Sequence, residues 1–267
     1  MGSSTISLGL GLGGGKASTS SGRPGGGGSF SNDASISLDG TNDYVTNESL
    51  SSTLTVEAVS LWFKPDLAYQ TGGSKDWILS FGGLDSGIAL GGNWFGPVTN
   101  ELITVANANH LWSYTSTSAL STSTWYHLAI RWESSSSSTN SGNAGYDIFL
   151  NGTKVGNAFG TYSSGTGAKI SADRLTVGAR NRGGTIAMNY DGFVDEVAIF
   201  DSAISEADIT AIYNSGVPAS LVDYSPATWW RMGDICGSTG TNIPDQGDDG
   251  NAGTLTNGPT FSSTVPS

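Results

Sequence analysis

The stretch from Asp191 to Tyr213 changes its hydrophobic period partway along, and that change limits what the chain can fold into. Phe193, Asp195, Val197 and Ile199 alternate with Val194, Glu196, Ala198 and Phe200, so apolar residues occupy both alternating sets. A strand patterned this way is covered on both faces. The period then switches to that of a helix. Ser205 stands as N-cap, Glu206 and Asp208 fall in the first turn, and Ile204, Ile209, Ile212 and Tyr213 form an apolar stripe.

Upstream, short apolar runs alternate with turn residues. Thr55–Lys64, closed by Pro65, reads as a buried strand. Trp77–Phe81, Gly87–Leu90, Leu102–Val105, Trp125–Trp132, Tyr146–Leu150 and Leu175–Gly178 read as further strands. Asn151-Gly152 is a two-residue hairpin turn leading into Lys154-Val155. Ser134–Gly145 reads as a polar loop. Many short strands with one late helix predict an all-β fold, an antiparallel β-sandwich.

Before this lies a different kind of sequence. Residues 1–29 form a Gly/Ser-rich arm whose apolar residues Ile6, Leu8, Leu10 and Leu12 are spaced by single residues. Such a segment buries too little apolar surface to offset its ordering entropy. It serves as a flexible linker, or adds a strand to a partner's sheet edge. Residues 30–267 are read as the sandwich, including a C-terminal strand segment at 226–261.

Composition narrows the partners. Charged residues make up 13% of the 267 residues, about half the usual share, with a net charge of −12. Phosphate binding needs clustered Lys and Arg, so nucleic acid and anionic membrane surfaces are poor partners. Cys236 is the single cysteine, which excludes an internal disulfide. Met1–Gly15 has no basic leader region, and no run of 18 apolar residues occurs. The expectation is a protein made in a cytoplasm and not inserted in a membrane.

Four segments, Ser37–Val45, Trp125–Trp132, Tyr146–Val155 and the Asp191–Tyr213 run, resemble laminin-G-like domains of the concanavalin A-like lectin/glucanase superfamily in kind and order. The resemblance implies a concanavalin A-like sandwich of the jelly-roll type. Trp229–Asp234 and Ile243–Leu255 resemble the segment that usually begins such a domain, yet here they stand at the end. This suggests a circular permutation, the alternative being the start of a truncated second repeat.

The motif order is also similar to that in virion structural proteins of marine tailed phages. That resemblance implies a non-enzymatic virion surface protein, a capsid decoration or tail-fibre component displaying a lectin-like domain. The arm would contact other virion subunits, the sandwich would take host-surface glycans, and a homo-oligomer or larger assembly is expected. A secreted or cell-surface bacterial adhesin module and a glycoside hydrolase are the alternatives.

Residues that could carry chemistry are few. Glucanases of this superfamily place carboxylates as Glu-x-Asp-x-x-Glu on one strand, and no such spacing occurs here. Asp195 and Glu196 are adjacent and, by simple alternation, point to opposite faces. His127 reads as a core or edge histidine, and no Gly-x-Ser-x-Gly is present. No catalytic residue is expected.

Laminin-G-like and pentraxin-like relatives often hold calcium, which implies one structural Ca2+ on Asp39, Asp43 and Asp195. The other reading of these residues is Asx-turn and strand-end chemistry with no ion. For sugars, Trp62, Trp125, Trp132 and Trp230 lie in apolar strands and read as core. Trp94 and Phe95 in a glycine-rich loop, and His110, Trp112 and Tyr114 along one strand face, are the candidate carbohydrate-binding residues, or equally a protein interface.

Overall fold

A computed structural model of the chain describes residues 30–69, 76–83, 85–91, 101–107, 110–115, 118–122, 124–134, 145–155, 158–161, 168–234 and 240–267. Two antiparallel sheets carry most of the regular structure. The first runs in the order Thr153–Lys154, Gly145–Leu150, Tyr126–Glu133, Ala58–Pro65, Asp191–Phe200, Ser35–Asp39 and Thr260–Ser262, with Thr228–Trp230 also paired to Asp191–Phe200. The second runs Ala158–Thr161, His110–Thr115, Glu101–Asn107, Ser86–Leu90, Asp76–Ser80, Leu175–Val177, Tyr44–Asn47, Gly253–Thr256 and Asn242–Ile243. The arm lies outside the described residues.

The sheets pack face to face, which is why alternate residues of each strand are apolar. Ile36, Leu61, Phe63, Leu128, Ile148 and Val194 of the first sheet meet Val45, Ile88, Ile103, Val105, Val177 and Leu255 of the second in one buried cluster. The sandwich is the fold that the strand pattern predicts.

Local chemistry fixes the connections. Asn151 and Gly152 have φ of 50° and 73°, the two left-handed residues a type I′ turn needs, and Leu150 pairs with Thr153 across it. Ser205 Oγ accepts from the Asp208 amide at 3.1 Å while Asp208 Oδ2 accepts from the Ser205 amide at 2.8 Å, a reciprocal capping box. The helix Glu206–Tyr213 lays Ile209 and Ile212 on the outer face of the first sheet, against Ala58, Ala129, Phe149, Ala198, Phe200 and Trp229. Alanines on three neighbouring strands let the helix approach closely.

The C-terminal stretch pairs into both sheets. Trp230 pairs with Val197, Leu255 with Val45, and Phe261 with Ile36. The Asp191–Phe200 strand carries one irregularity: its register against Ala58–Pro65 shifts between Asp195 and Ala198, with Glu196 at φ 47°. This is a β-bulge, and it breaks the simple alternation that would send Asp195 and Glu196 to opposite faces. Among the described residues, no helix is long and apolar enough to cross a membrane.

Candidate functional site

The outer face of the first sheet carries a row of side chains across four strands. Ser37 pairs with Phe193, and Phe193 with Lys64. Phe63 pairs with Tyr126, so continuing the register sets Trp125 opposite Lys64. Trp125 and Phe193 are both partly exposed, with ring centroids 6.3 Å apart and planes tilted by 56°. Lys64 Nζ lies 5.0 Å from the Phe193 ring centroid. Arg131, Lys154, Lys169, Arg174, Arg180, Arg182 and Arg231 all make ion pairs. Lys64 makes none among the described residues.

One row further toward the end of the sheet, Asp39 pairs with Asp191, and the Asp66 amide donates to the Asp191 carbonyl at 3.1 Å. Burial pushes the Asp191 carboxyl up, and the charges of Asp66 and Asp39 push it further. Two rings, one unpaired ammonium and a line of carboxylates thus lie on adjacent rows of one face, roughly 7 Å apart by strand geometry. Rings offer apolar faces to sugar C–H groups, while ammonium and carboxylate donate to and accept from hydroxyls.

Trp125 is therefore not a core residue, contrary to its reading from the sequence. It shares its phase with His127, Ala129 and Arg131, the outward series of its strand. Its opposite number is Trp112, which is 1% exposed. Trp112 packs edge-on against Tyr146 at 5.2 Å and Trp132 at 6.2 Å, so it cannot present its ring to a sugar. Tyr114, in phase with it, packs against the same core. His110 lies in the His110–Thr115 strand, but its side chain is outside the described residues, as are Trp94 and Phe95 altogether. The alternation along that strand is real; the face it marks is the inner one.

Next to the ring row lies a buried polar group built by the bulge. Asp195, Glu196 and Asp234 bring carboxylate oxygens within 4.8 Å of one another. Asp195 is 0% and Glu196 3% exposed. The two adjacent acids converge because the left-handed turn at Glu196 rotates its side chain toward that of Asp195.

All six oxygens accept hydrogen bonds. Asp195 takes Asn32 Nδ2 at 3.0 Å and the Glu196 amide at 2.8 Å. Glu196 takes Trp229 Nε1 at 2.6 Å and Arg231 Nε at 3.0 Å. Asp234 takes the Asp33 and Ala34 amides at 2.6 Å each and Arg231 Nη2 at 3.3 Å. Burial raises the Asp195 carboxyl well above its ordinary value, with the charge of Glu196 adding to it.

These contacts bear on the expected calcium set. Asp39 pairs with Asp191, and Asp195 lies four residues further along that strand, about 13 Å away at strand rise. Asp39, Asp43 and Asp195 cannot share one ion. Around Asp195, protein N–H groups take both carboxylate oxygens, and Arg231 pairs with the neighbouring Glu196 and Asp234.

Asp39 and Asp43 do fit in kind. Asp39 Oδ1 accepts from the Thr41 and Asn42 amides at 2.8 and 3.3 Å. Asp43 is 5% exposed, and burial, then the charge of Asp39, raises its carboxyl. Neither makes an ion pair among the described residues.

A serine–histidine contact is present where no motif announces one: His127 Nε2 lies 2.9 Å from Ser60 Oγ. Both residues are buried, and His127 Nδ1 has no hydrogen-bond partner among the described residues. Without a carboxylate to orient the ring and without access, the pair is not a nucleophile and base.

The family profile described as the concanavalin A-like lectin/glucanases superfamily, of laminin-G type, matches residues 39–210. No curated protein matches the sequence. Among solved structures, a protein from Bacteroides ovatus described as a candidate carbohydrate-binding protein is similar at a TM-score of 0.59 and 16% identity, over 89% of this chain and 62% of that one. The chain thus spans about three fifths of that protein's length. A heptameric SAP-like pentraxin from Limulus polyphemus is similar at a TM-score of 0.47 and 14% identity, over 86% of this chain and 95% of that one. With the sandwich, its strand order and the profile in agreement, the chain belongs to the concanavalin A-like lectin/glucanase superfamily.

Proposed function

We propose that this chain is a non-catalytic, lectin-like module that binds carbohydrate at the Trp125–Lys64–Phe193 row and is displayed on a virion surface through its N-terminal arm. The observation that carries the binding reading is the row itself. Two partly exposed rings adjoin the one lysine without an ion pair among the described residues, and three aspartates border them. The description of the Bacteroides ovatus protein as a candidate carbohydrate binder agrees with it.

The non-catalytic reading rests on Asp195, Glu196 and Asp234. They are the one group of three acids with oxygens within 4.8 Å of one another among the described residues, and those oxygens are taken by protein donors. The display reading rests on the order of the sequence motifs and on the composition of residues 1–29. We also propose that Asp39 and Asp43 hold a structural calcium ion through hard oxygen ligands.

Titrating the full chain against a panel of defined oligosaccharides tests the binding site. A Trp125→Ala variant should weaken binding of any bound sugar tenfold or more. Unchanged binding would remove the row from the account, and no binding across the panel would remove the lectin reading. For display, the full chain should incorporate into particles lacking the native protein, whereas a chain beginning at Phe30 should not.

A further inference from the structure

The acid row beside the two rings carries negative charge that no protein cation answers. Asp39 pairs with Asp191, and the Asp66 amide donates to the Asp191 carbonyl, so the three acids sit on neighbouring strand ends. Among the described residues, none of the three makes an ion pair. Asp66 stands two residues beyond Lys64, yet the Lys64 ammonium lies over the Phe193 ring. Asp66 is exposed and Asp191 half-buried.

Beneath the row lies a donor without an acceptor. Tyr190 is fully buried and stacks on Tyr69 at 5.9 Å, and its hydroxyl has no hydrogen-bond partner among the described residues. That hydroxyl reaches the base of the row: a Cβ built on Gly192 would fall 2.8 Å from it and 3.0 Å from the Asp66 amide nitrogen. The charges of Asp66, Asp191 and Asp76 all act on it. Tyr69, by contrast, donates to Asp76 at 2.9 Å. A buried donor left over beside unpaired acids calls for a partner from outside the chain.

We propose that Asp66 and Asp191 take the ammonium of an amino sugar whose ring lies against Trp125 and Phe193, so that this face selects saccharides carrying a free amine. The inference rests on the carbohydrate-binding reading of the ring row and names the class of sugar that the row takes.

Charge decides between an amine and an acid as the ligand's polar group. Asp39 belongs with Asp43 to the proposed calcium pair, and one divalent ion there balances those two carboxylates. Asp66 and Asp191 then face Lys64 alone, two negative charges against one positive, on a chain of net charge −12. A sugar carboxylate placed on Lys64 would lie roughly 7 Å from Asp66, inside the screening length of about 8 Å at physiological salt. An ammonium one row further on meets carboxylates first and offers them three N–H donors. Lys64 is left to donate to sugar hydroxyls. The spacing of the rows lets the rings hold one sugar while the acids take the amine of that unit or the next.

Isothermal titration of the full chain at pH 6, in saturating calcium, tests the preference with three β-1,4-linked tetramers that differ only at C2: glucosamine, N-acetylglucosamine and glucose. The glucosamine tetramer should bind about fivefold tighter than the glucose tetramer, the scale of two exposed ion pairs, and the margin should shrink in high salt. Asp66→Asn, at an exposed position, should bring the two affinities within about twofold of each other. Asp191→Asn provides the same comparison if that chain fails to give the native circular dichroism spectrum. Equal affinity for the three tetramers would overturn the preference and leave the lectin reading standing, as would tighter binding of a galacturonate tetramer. A margin that survives the substitution would come from the net charge of the chain, and one that appears only when calcium is chelated would put the ammonium at Asp39 and Asp43; either result overturns the assignment. Binding of none of the tetramers also overturns it, and binding of nothing on the wider oligosaccharide panel would remove the carbohydrate reading beneath it.

Discussion

His127 Nε2 lies 2.9 Å from Ser60 Oγ in a fully buried contact between neighbouring strands of the first sheet. The imidazole is roofed by Tyr213 of the helix, whose ring stacks at 5.9 Å, and by Trp62 at 5.0 Å. Among the described residues, no carboxylate is paired with it to support a positive charge.

Acid should therefore destabilise the protein through this residue. Burial pushes His127 down to about 3, against roughly 6.5 in the unfolded chain. A base with a depressed folded value contributes stability that is full above about 6.5 and lost as pH falls toward 3, by about 1.4 kcal/mol per pH unit. The raised carboxyls Asp195 and Glu196 slope the other way, so the wild-type profile alone mixes the two. Urea unfolding of wild type and His127→Gln at pH 7, 5.5 and 4.5 separates them. The variant should lose less stability than the wild type across that range; parallel profiles would mean the imidazole is not buried neutral.

Trp112 supplies the second prediction. A Cβ added at Gly145 would sit 1.8 Å from Trp112 Nε1 and 2.5 Å from its Cε2, and Tyr146 and Trp132 hem that indole in edge-on. The ring has nowhere to move, so Gly145→Ala should cost 1–3 kcal/mol or more, as overpacking does. Gly183, at φ 59° with nothing within 4 Å of its added Cβ, is the control. Gly183→Ala should cost about 1 kcal/mol from backbone conformation alone. Thermal unfolding of both variants reads the difference, and a mild Gly145→Ala would mean Trp112 is not wedged in the core.

What the sequence made legible was local chemistry. Ser205 with Asp208 three residues on writes a capping box, and Asn151-Gly152 writes a type I′ turn, because each needs only its own neighbours. Alternation likewise says which residues share a face. It does not say which face is inside. Trp112 and Trp125 each head an alternating series with aromatic members, and only the packing of one sheet on the other sends Trp112 inward and Trp125 outward. The bulge at Glu196 was illegible for a related reason. A left-handed residue inside an apolar run has no signature of its own, and its effect appears only when Asp234, far along the chain, closes the group.

Calcium at Asp39 and Asp43 gives the last prediction. Asp39 is exposed and turned onto the Thr41 and Asn42 amides, which hold its carboxyl below the usual range. Asp43 is buried and raised, partly by the charge of Asp39. An ion between them would reverse that repulsion, and a ligand at a hundred times its dissociation constant stabilises by about 2.7 kcal/mol. Calcium should raise the melting temperature by several degrees, while magnesium, which demands tighter octahedral geometry, should do less. Asp43→Asn should abolish the calcium shift. If calcium shifts nothing, Asp43 is a buried acid that carries a cost when ionised. Asp43→Asn would then leave stability unchanged or improve it near neutral pH, since the amide removes a charge that no ion compensates.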